Sequence, residues 1–120
     1  MAQIFVFGSN LAGRHGAGAA KYASEYYGAK RGVGSGRMGR SYAIPTKGLN
    51  LDTLNLGAIE WFILEFVEHA KANPADEFML TPIGCGLAGY RRDQIKPIFE
   101  KYNPPSNVIY TKEWEDEDIN

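Results

Sequence analysis

The sequence predicts an α/β protein, a three-layer sandwich with helices on both faces of a mixed, mostly parallel sheet. Short apolar runs of strand length alternate with helical segments along the whole chain. The run at residues 78–83 has no polar alternation, as is typical of a strand buried on both faces. Two glycine-rich loops each follow a strand and lead into a helix, an arrangement found at the carboxyl edge of parallel sheets.

Each element has its own sequence signal. We expect strands at residues 4–7, 41–44 (ended by Pro45), 78–83 and 108–110. Apolar residues at helical spacing predict the main helix at residues 58–72, with Asp52 or Asn55 as its N-cap. Further helices are expected at residues 19–27 and at 93–102, where Pro97 should break the helix into two turns.

Length and composition bound the kind of protein. A chain of 120 residues with 44% hydrophobic residues is most simply one domain. No apolar run approaches the ~20 residues that span a bilayer, and no basic-then-apolar leader opens the chain. We therefore expect a cytoplasmic protein without a membrane partner. The single cysteine, Cys85, excludes an internal disulfide and a cysteine-based zinc site, and we expect no metal and no cofactor.

The net charge of -1 conceals a strong asymmetry. Seven basic residues and one acid lie between Arg14 and Lys47, whereas five acids lie in the last eight residues. The basic part suggests an anionic ligand, and residues 113–120 are interpreted as a solvated acidic tail beyond a domain at residues 1–112. Residues 30–40 alternate glycine with arginine and offer Val33 and Met38 alone for burial. We expect this segment to be mobile and to close over a ligand.

The two glycine-rich loops, the first loop (residues 8–18) and the second loop (residues 84–90), are the main functional signal. Glycine lets backbone N–H groups approach a ligand, which is how loops hold phosphates. A strand, such a loop and a helix N-terminus together make an anion site. Either loop alone is equally well a tight turn. Because both loops should face the same edge of the sheet, they predict a phosphate-containing ligand.

Five side chains are candidates for chemistry. His15, among glycines, suits a general acid or base, or is a surface histidine. Lys47, at a strand end, binds phosphate or acts as a nucleophile. Asn10 hydrogen-bonds a sugar hydroxyl or caps a turn. Cys85 is better interpreted as a small buried thiol, and His69 as a structural residue near a helix C-terminus.

Both loops resemble those of a known family. Gly8-Ser9-Asn10 with residues 13–20, GRHGAGAA, resembles the first ligand loop of macro domains, the ADP-ribose-binding fold. Residues 82–87, PIGCGL, resemble their diphosphate-binding loop, in the form found in the branch that removes terminal ADP-ribose from proteins. Residues 41–47 and 108–110 resemble two strands of that branch, so the resemblance extends to about Lys112.

The resemblance implies a cleft for ADP-ribose, with the second loop around the phosphates. Together with the reasoning on single side chains, it leads us to expect catalytic roles for His15, Lys47 and Asn10, the last near the distal ribose. The ligand-binding residues that it implies are Gly8, Ser9, Asn10, Gly13, Arg14, Gly16, Gly18, Gly84, Cys85, Gly86, Leu87, Ala88, Gly89 and Tyr90.

The sequence also departs from the family. We expect no counterpart of the strand whose aspartate reads adenine, and Ala88 stands where the glycohydrolase branch has an aspartate. Lys47 matches the lysine of that branch, which can form a sugar adduct. Our leading expectation is hydrolysis at the distal ribose, by a phosphatase acting on ADP-ribose 1″-phosphate. The alternatives are a non-catalytic ADP-ribose-binding module and a glycohydrolase using Lys47. A nucleic-acid partner, bound by residues 30–40 with Tyr26, Tyr27 and Tyr42, is the interpretation that we favour least.

Overall fold

Five strands form one mixed sheet in the order β2-β3-β1-β4-β5, in a computed structural model that describes residues 2–116. The strands are β1 (Gln3–Asn10), β2 (Gly36–Met38), β3 (Ser41–Lys47), β4 (Glu77–Leu80) and β5 (Val108–Tyr110). The central strand β1 pairs in parallel with β3 and β4, β4 pairs in parallel with β5, and β2 is antiparallel to β3. The helices are α1 (Gly18–Tyr26), α2 (Leu56–Ala72) and α3 (Arg92–Lys101).

Helices lie on both faces of the sheet. On one face α2 and α3 bury their apolar sides, including Ile63, Phe66 and Phe99, in the larger hydrophobic cluster. On the other face α1 contributes Ala20 and Ala23 to a smaller cluster. The predicted α/β class, with a mixed and mostly parallel sheet, is confirmed.

The central strand β1 divides its side chains between the two faces. Ile4 and Val6 are buried in the larger cluster, whereas Phe5 and Phe7 belong to the smaller one beside α1. This is the period-2 alternation of any β-strand. The Phe5 ring is therefore half-buried, on the face where α1 is the one helix that packs within residues 2–116.

Both prolines that were expected to end or break an element lie inside one. Strand β3 continues through Pro45 to Lys47, because β2 has no residue opposite Pro45 and that side of β3 needs no N–H donor there. Helix α3 is continuous over Pro97, and buried Ile95 and Phe99 hold it against the core despite the lost backbone bond. The expected cap Asn55 is confirmed, since its Oδ1 accepts from the Ala58 N–H at 2.9 Å.

The segment at residues 30–40 has more structure than its composition suggested. It contains β2, and Met38 is buried. The Gly32 N–H donates to the Gly13 carbonyl oxygen at 2.9 Å. A Cβ on Gly34 would lie 2.1 Å from the Asn10 carbonyl oxygen, so glycine is required for this close approach. The segment therefore packs against the first loop.

The packed part of the chain extends beyond Lys112. A 3-10 helix (Lys112–Glu115) places Trp114 in the core, 7% exposed, with its Nε1–H donating to the Leu80 carbonyl oxygen at 2.7 Å. Burial of the indole outweighs the surrounding acids, so the start of the expected tail is packed. Its remainder, residues 117–120, lies outside the described residues. In residues 2–116 no helix combines the length and apolarity needed to cross a membrane.

Candidate functional site

A cavity of about 1000 Å³ lies where β1, β3 and β4 end. Strands β1 and β4 lead into the first and second loops, and β3 ends at Lys47. Most of the expected ligand-binding residues line this cavity: Gly8, Ser9, Asn10, Arg14, Gly16, Gly18, Gly84, Cys85, Gly86, Leu87 and Ala88. The parallel pairing of β1 with both neighbours therefore brings the two loops together at one edge of the sheet.

The two loops are in contact at Gly8 and Gly84. A Cβ built on Gly8 would lie 3.2 Å from the Gly84 nitrogen, and Gly84 itself has a φ of 76°, in the left-handed region. A larger residue at position 8 would push the loops apart, and one at position 84 would be strained. These two glycines thus set the width of the cavity at its base.

The second loop carries three consecutive unpartnered N–H groups. The Cys85 N–H donates to the Pro82 carbonyl oxygen at 3.2 Å, and the Gly89 N–H donates to that of Gly86 at 3.0 Å. Between them, the N–H groups of 86–88 have no acceptor in residues 2–116, and all three residues line the cavity. Consecutive free N–H groups of this kind form a concave site for an anion.

The N-terminus of α1 supplies a second set of unpartnered backbone N–H groups. The N–H groups of 18–20 have no acceptor in the described part of the chain, and these residues also line the cavity. The residue before the helix, Ala17, has no side-chain oxygen with which to cap it. The N-terminal end of the helix dipole therefore favours an anion from outside the chain.

Charged side chains on the cavity wall are mostly cationic. Arg14 lies in the first loop and Lys47 at the end of β3. Arg92 begins α3, and its Nε donates to the Glu113 carbonyl oxygen at 2.7 Å. Glu113 is the acidic residue that lines the same wall in residues 2–116. The wall therefore complements a ligand that carries more than one negative charge.

Asn10 holds the first loop in shape. Its Oδ1 accepts from the Arg14 N–H at 2.9 Å, and its Nδ2 donates to the Arg14 carbonyl oxygen at 2.8 Å. Both ends of the amide therefore bind the backbone of one residue, Arg14, as expected of an asparagine that caps a turn. Because Asn10 also lines the cavity, its remaining N–H and lone pair are still free to meet a ligand.

His15 is not on the cavity wall. Its Nε2 lies 3.0 Å from the Lys30 carbonyl oxygen and 3.2 Å from that of Val33, and its ring meets Phe7 edge-on at 5.6 Å. Carbonyl oxygens only accept, so Nε2 carries the proton. His15 therefore links the first loop to residues 30–40 by hydrogen bonds. It does not lie on the cavity wall with Lys47.

Three more expected ligand residues lie off the wall. A Cβ on Gly13 would lie 2.4 Å from the Val33 nitrogen, so this glycine packs against residues 30–40. Gly89 closes a turn of the second loop, and the Tyr90 hydroxyl donates to the Leu54 carbonyl oxygen at 2.6 Å. The expected lid, residues 30–40, does not line the cavity either. Its contacts with the first loop make it a support for that loop.

Cys85 and the possibility of a metal site are the last two features of the cavity. Cys85 lies on the wall with intermediate exposure, more open than the buried thiol expected. Its Sγ–H lies 3.5 Å from the Ile83 carbonyl oxygen. Within residues 2–116 no group of three or more His, Cys, Asp or Glu side chains is placed to hold a metal ion.

Several residues that line the cavity were not among the predicted site residues. Phe5, Tyr22 and Tyr27 line it as a group, and Leu51 lines it with a φ of 63°, which is unusual for a leucine. The β1 alternation carried a signal for Phe5, since a phenylalanine on the thinly covered face needs aromatic neighbours. No local pattern signalled Glu113, because burial of Trp114 brings it to the cavity.

A scan against protein-family models, a search of curated proteins and a search of solved structures found no match to this chain. The function proposed below is therefore supported by the residues and geometry described above.

Proposed function

We propose that this protein binds ADP-ribose or a derivative of it, and hydrolyses the derivative at the distal ribose. The supporting observation is the pair of unpartnered N–H sets, at residues 18–20 and 86–88, on the wall of one cavity. Each set suits one phosphate group, and the loops that carry them touch at Gly8 and Gly84. Two anion sites on the wall of one cavity fit a diphosphate better than a single phosphate.

The cationic residues on the cavity wall support a reaction as well as binding. Lys47 and Arg14 lie on the same wall as the N–H groups, and a 1″-phosphate on the distal ribose would add charge that needs such partners. In the proposed reaction water attacks phosphorus and the bond from phosphorus to the 1″-oxygen breaks. ADP-ribose and inorganic phosphate leave, and the two cations stabilise the charge that develops. His15 acts by positioning the first loop.

A second reaction is favoured by one specific observation. Glu113 is an acidic residue among those that line the cavity, although Ala88 stands where the glycohydrolase branch has its aspartate. Lys47 would then attack the 1″-carbon of a protein-linked ADP-ribose, and the bond to the protein oxygen would break with a proton from Glu113. The resulting lysine–sugar adduct would be released by water.

The test offers ADP-ribose 1″-phosphate to the protein and follows release of phosphate and ADP-ribose. We expect Lys47→Ala to lower the turnover by roughly 10²–10³-fold, as for loss of one preorganised charge at a reacting group. The matched control is Lys71→Ala, because Lys71 lies exposed on α2 beside Glu68 and away from the cavity.

Each other outcome selects an alternative. Equal turnover by the Lys47→Ala and parent proteins would remove Lys47 from the reaction. A borohydride-trapped sugar on Lys47 would replace the phosphatase with the glycohydrolase. Binding of ADP-ribose without turnover of either substrate would leave a non-catalytic module.

A further inference from the structure

We infer that the aromatic wall, defined as Phe5, Tyr22 and Tyr27, is the subsite for the nucleobase of the ligand, a purine held by stacking. This inference rests on the proposed function, because it assigns the base of the same nucleotide whose phosphates lie at the two loops. All three rings line the cavity that holds the unpartnered N–H groups.

The three rings form one continuous apolar surface. The Phe5 and Tyr27 rings are stacked, with centroids 5.0 Å apart and an interplanar angle of 13°. The Phe5 and Tyr22 centroids are 5.3 Å apart, and those of Tyr22 and Tyr27 are 5.8 Å apart. Phe5 is half-buried on β1, so it fixes the position of the two tyrosines.

Tyr22 has the largest free surface of the three. It is 47% exposed, although it lies on the cavity wall. Tyr27 already stacks on Phe5 and lies under the Arg40 guanidinium, whose carbon is 5.5 Å from the ring centroid. An exposed aromatic ring inside a concave, mostly apolar wall is a stacking platform for a planar ligand group.

The spacing between this wall and the phosphate sites fits a nucleotide. Tyr22 lies four residues after Gly18 on α1, which is ~6 Å along the helix axis. Phe5 lies three residues before Gly8 on β1, which is ~10 Å along the strand. The first distance is on the scale of a ribose between a base and its phosphate, and Gly8 contacts the second loop at Gly84.

Stacking has a consequence for selectivity. Every base presents a π-face, so aromatic platforms bind bases with little discrimination between them. Purines present more area than pyrimidines and should bind more tightly. We therefore expect guanosine diphosphate ribose to bind about as well as ADP-ribose, and the cytidine analogue to bind more weakly.

The test compares two tyrosines one helical turn apart. Tyr26 is exposed and touches Tyr22, with ring centroids 4.9 Å apart, but does not line the cavity. We expect Tyr22→Ala to raise the Kd for ADP-ribose by about 5- to 150-fold, the equivalent of one stacked base. Tyr26→Ala should change this Kd less than twofold. Pyrophosphate, which has no base, should bind the parent protein and both variants equally, and this also shows that the loops are intact.

Three results would overturn the inference. The first is an unchanged Kd for ADP-ribose in Tyr22→Ala. The second is an equal loss of pyrophosphate binding, because the substitution would then act on the loops. The third is a change of oligomeric state in Tyr22→Ala at unchanged nucleotide affinity, which would make the aromatic wall a protein-docking surface. Failure of the parent protein to bind ADP-ribose at all would refute the proposed function itself.

Discussion

A carboxylate at Gly86 should weaken ligand binding and leave the fold intact. Gly86 lies on the cavity wall within the three free N–H groups of the second loop. A Cβ built on it meets nothing within 4 Å, and its φ is outside the left-handed region. Gly86→Glu is therefore sterically tolerated, and its charge takes the place of a phosphate.

The magnitude follows from Coulomb's law. Two like charges about 4 Å apart repel by ~1 kcal/mol in water and ~4 kcal/mol at the effective dielectric of a protein surface. We expect the Kd for ADP-ribose to rise by about 5- to 1000-fold. The free energy of unfolding should change by less than about 1 kcal/mol, since replacing a flexible glycine in a compatible conformation restricts the unfolded chain slightly.

Calorimetric titration with ADP-ribose and urea unfolding of the same variants measure both quantities. Gly86→Gln is the matched control, because it has the length of glutamate without its charge. Binding by Gly86→Gln should lie much closer to the parent protein than binding by Gly86→Glu. If Gly86→Glu binds ADP-ribose as tightly as the parent protein, the second loop is a turn without a ligand.

Two further predictions concern stability. Burial and the nearby Arg37 guanidinium lower the pKa of His69 in the folded protein. As the pH falls, His69 therefore takes up a proton in the unfolded chain at a higher pH than in the folded one. Stability should therefore decline as the pH drops below about 6.5, the ordinary histidine pKa; urea unfolding between pH 8 and 5 measures this, and His69→Phe should flatten the profile. Trp114→Ala should cost roughly 3–5 kcal/mol of unfolding free energy, as for other buried tryptophans. A cost below about 1 kcal/mol in urea unfolding would show that residues 112–115 are peripheral to the core.

Local patterns predicted the framework of the fold well. The apolar spacing of α2 and its Asn55 cap are signals within one helix, and the structure has both. The loops were expected at the carboxyl edge of a parallel sheet, and β1 and β4 carry them there. Such features depend on residues a few positions apart, which a sequence displays directly.

Contacts between distant segments were not predictable in the same way. His15 has the residue type and loop position of a general base, yet its Nε2 is bound by the carbonyl oxygens of Lys30 and Val33. The acids around Trp114 indicated a solvated tail, whereas the indole reaches back to Leu80. In both cases a hydrogen bond across many residues decides the role, and composition gives no sign of the partner.

The most direct test of the account is calorimetric titration of the parent protein with ADP-ribose and, in parallel, with adenosine. We predict one ADP-ribose per chain, competition by pyrophosphate, and much weaker binding of adenosine, because the paired N–H sets at residues 18–20 and 86–88 act on the phosphates. No detectable binding of ADP-ribose, or equal binding of adenosine, would contradict a diphosphate site at these two loops.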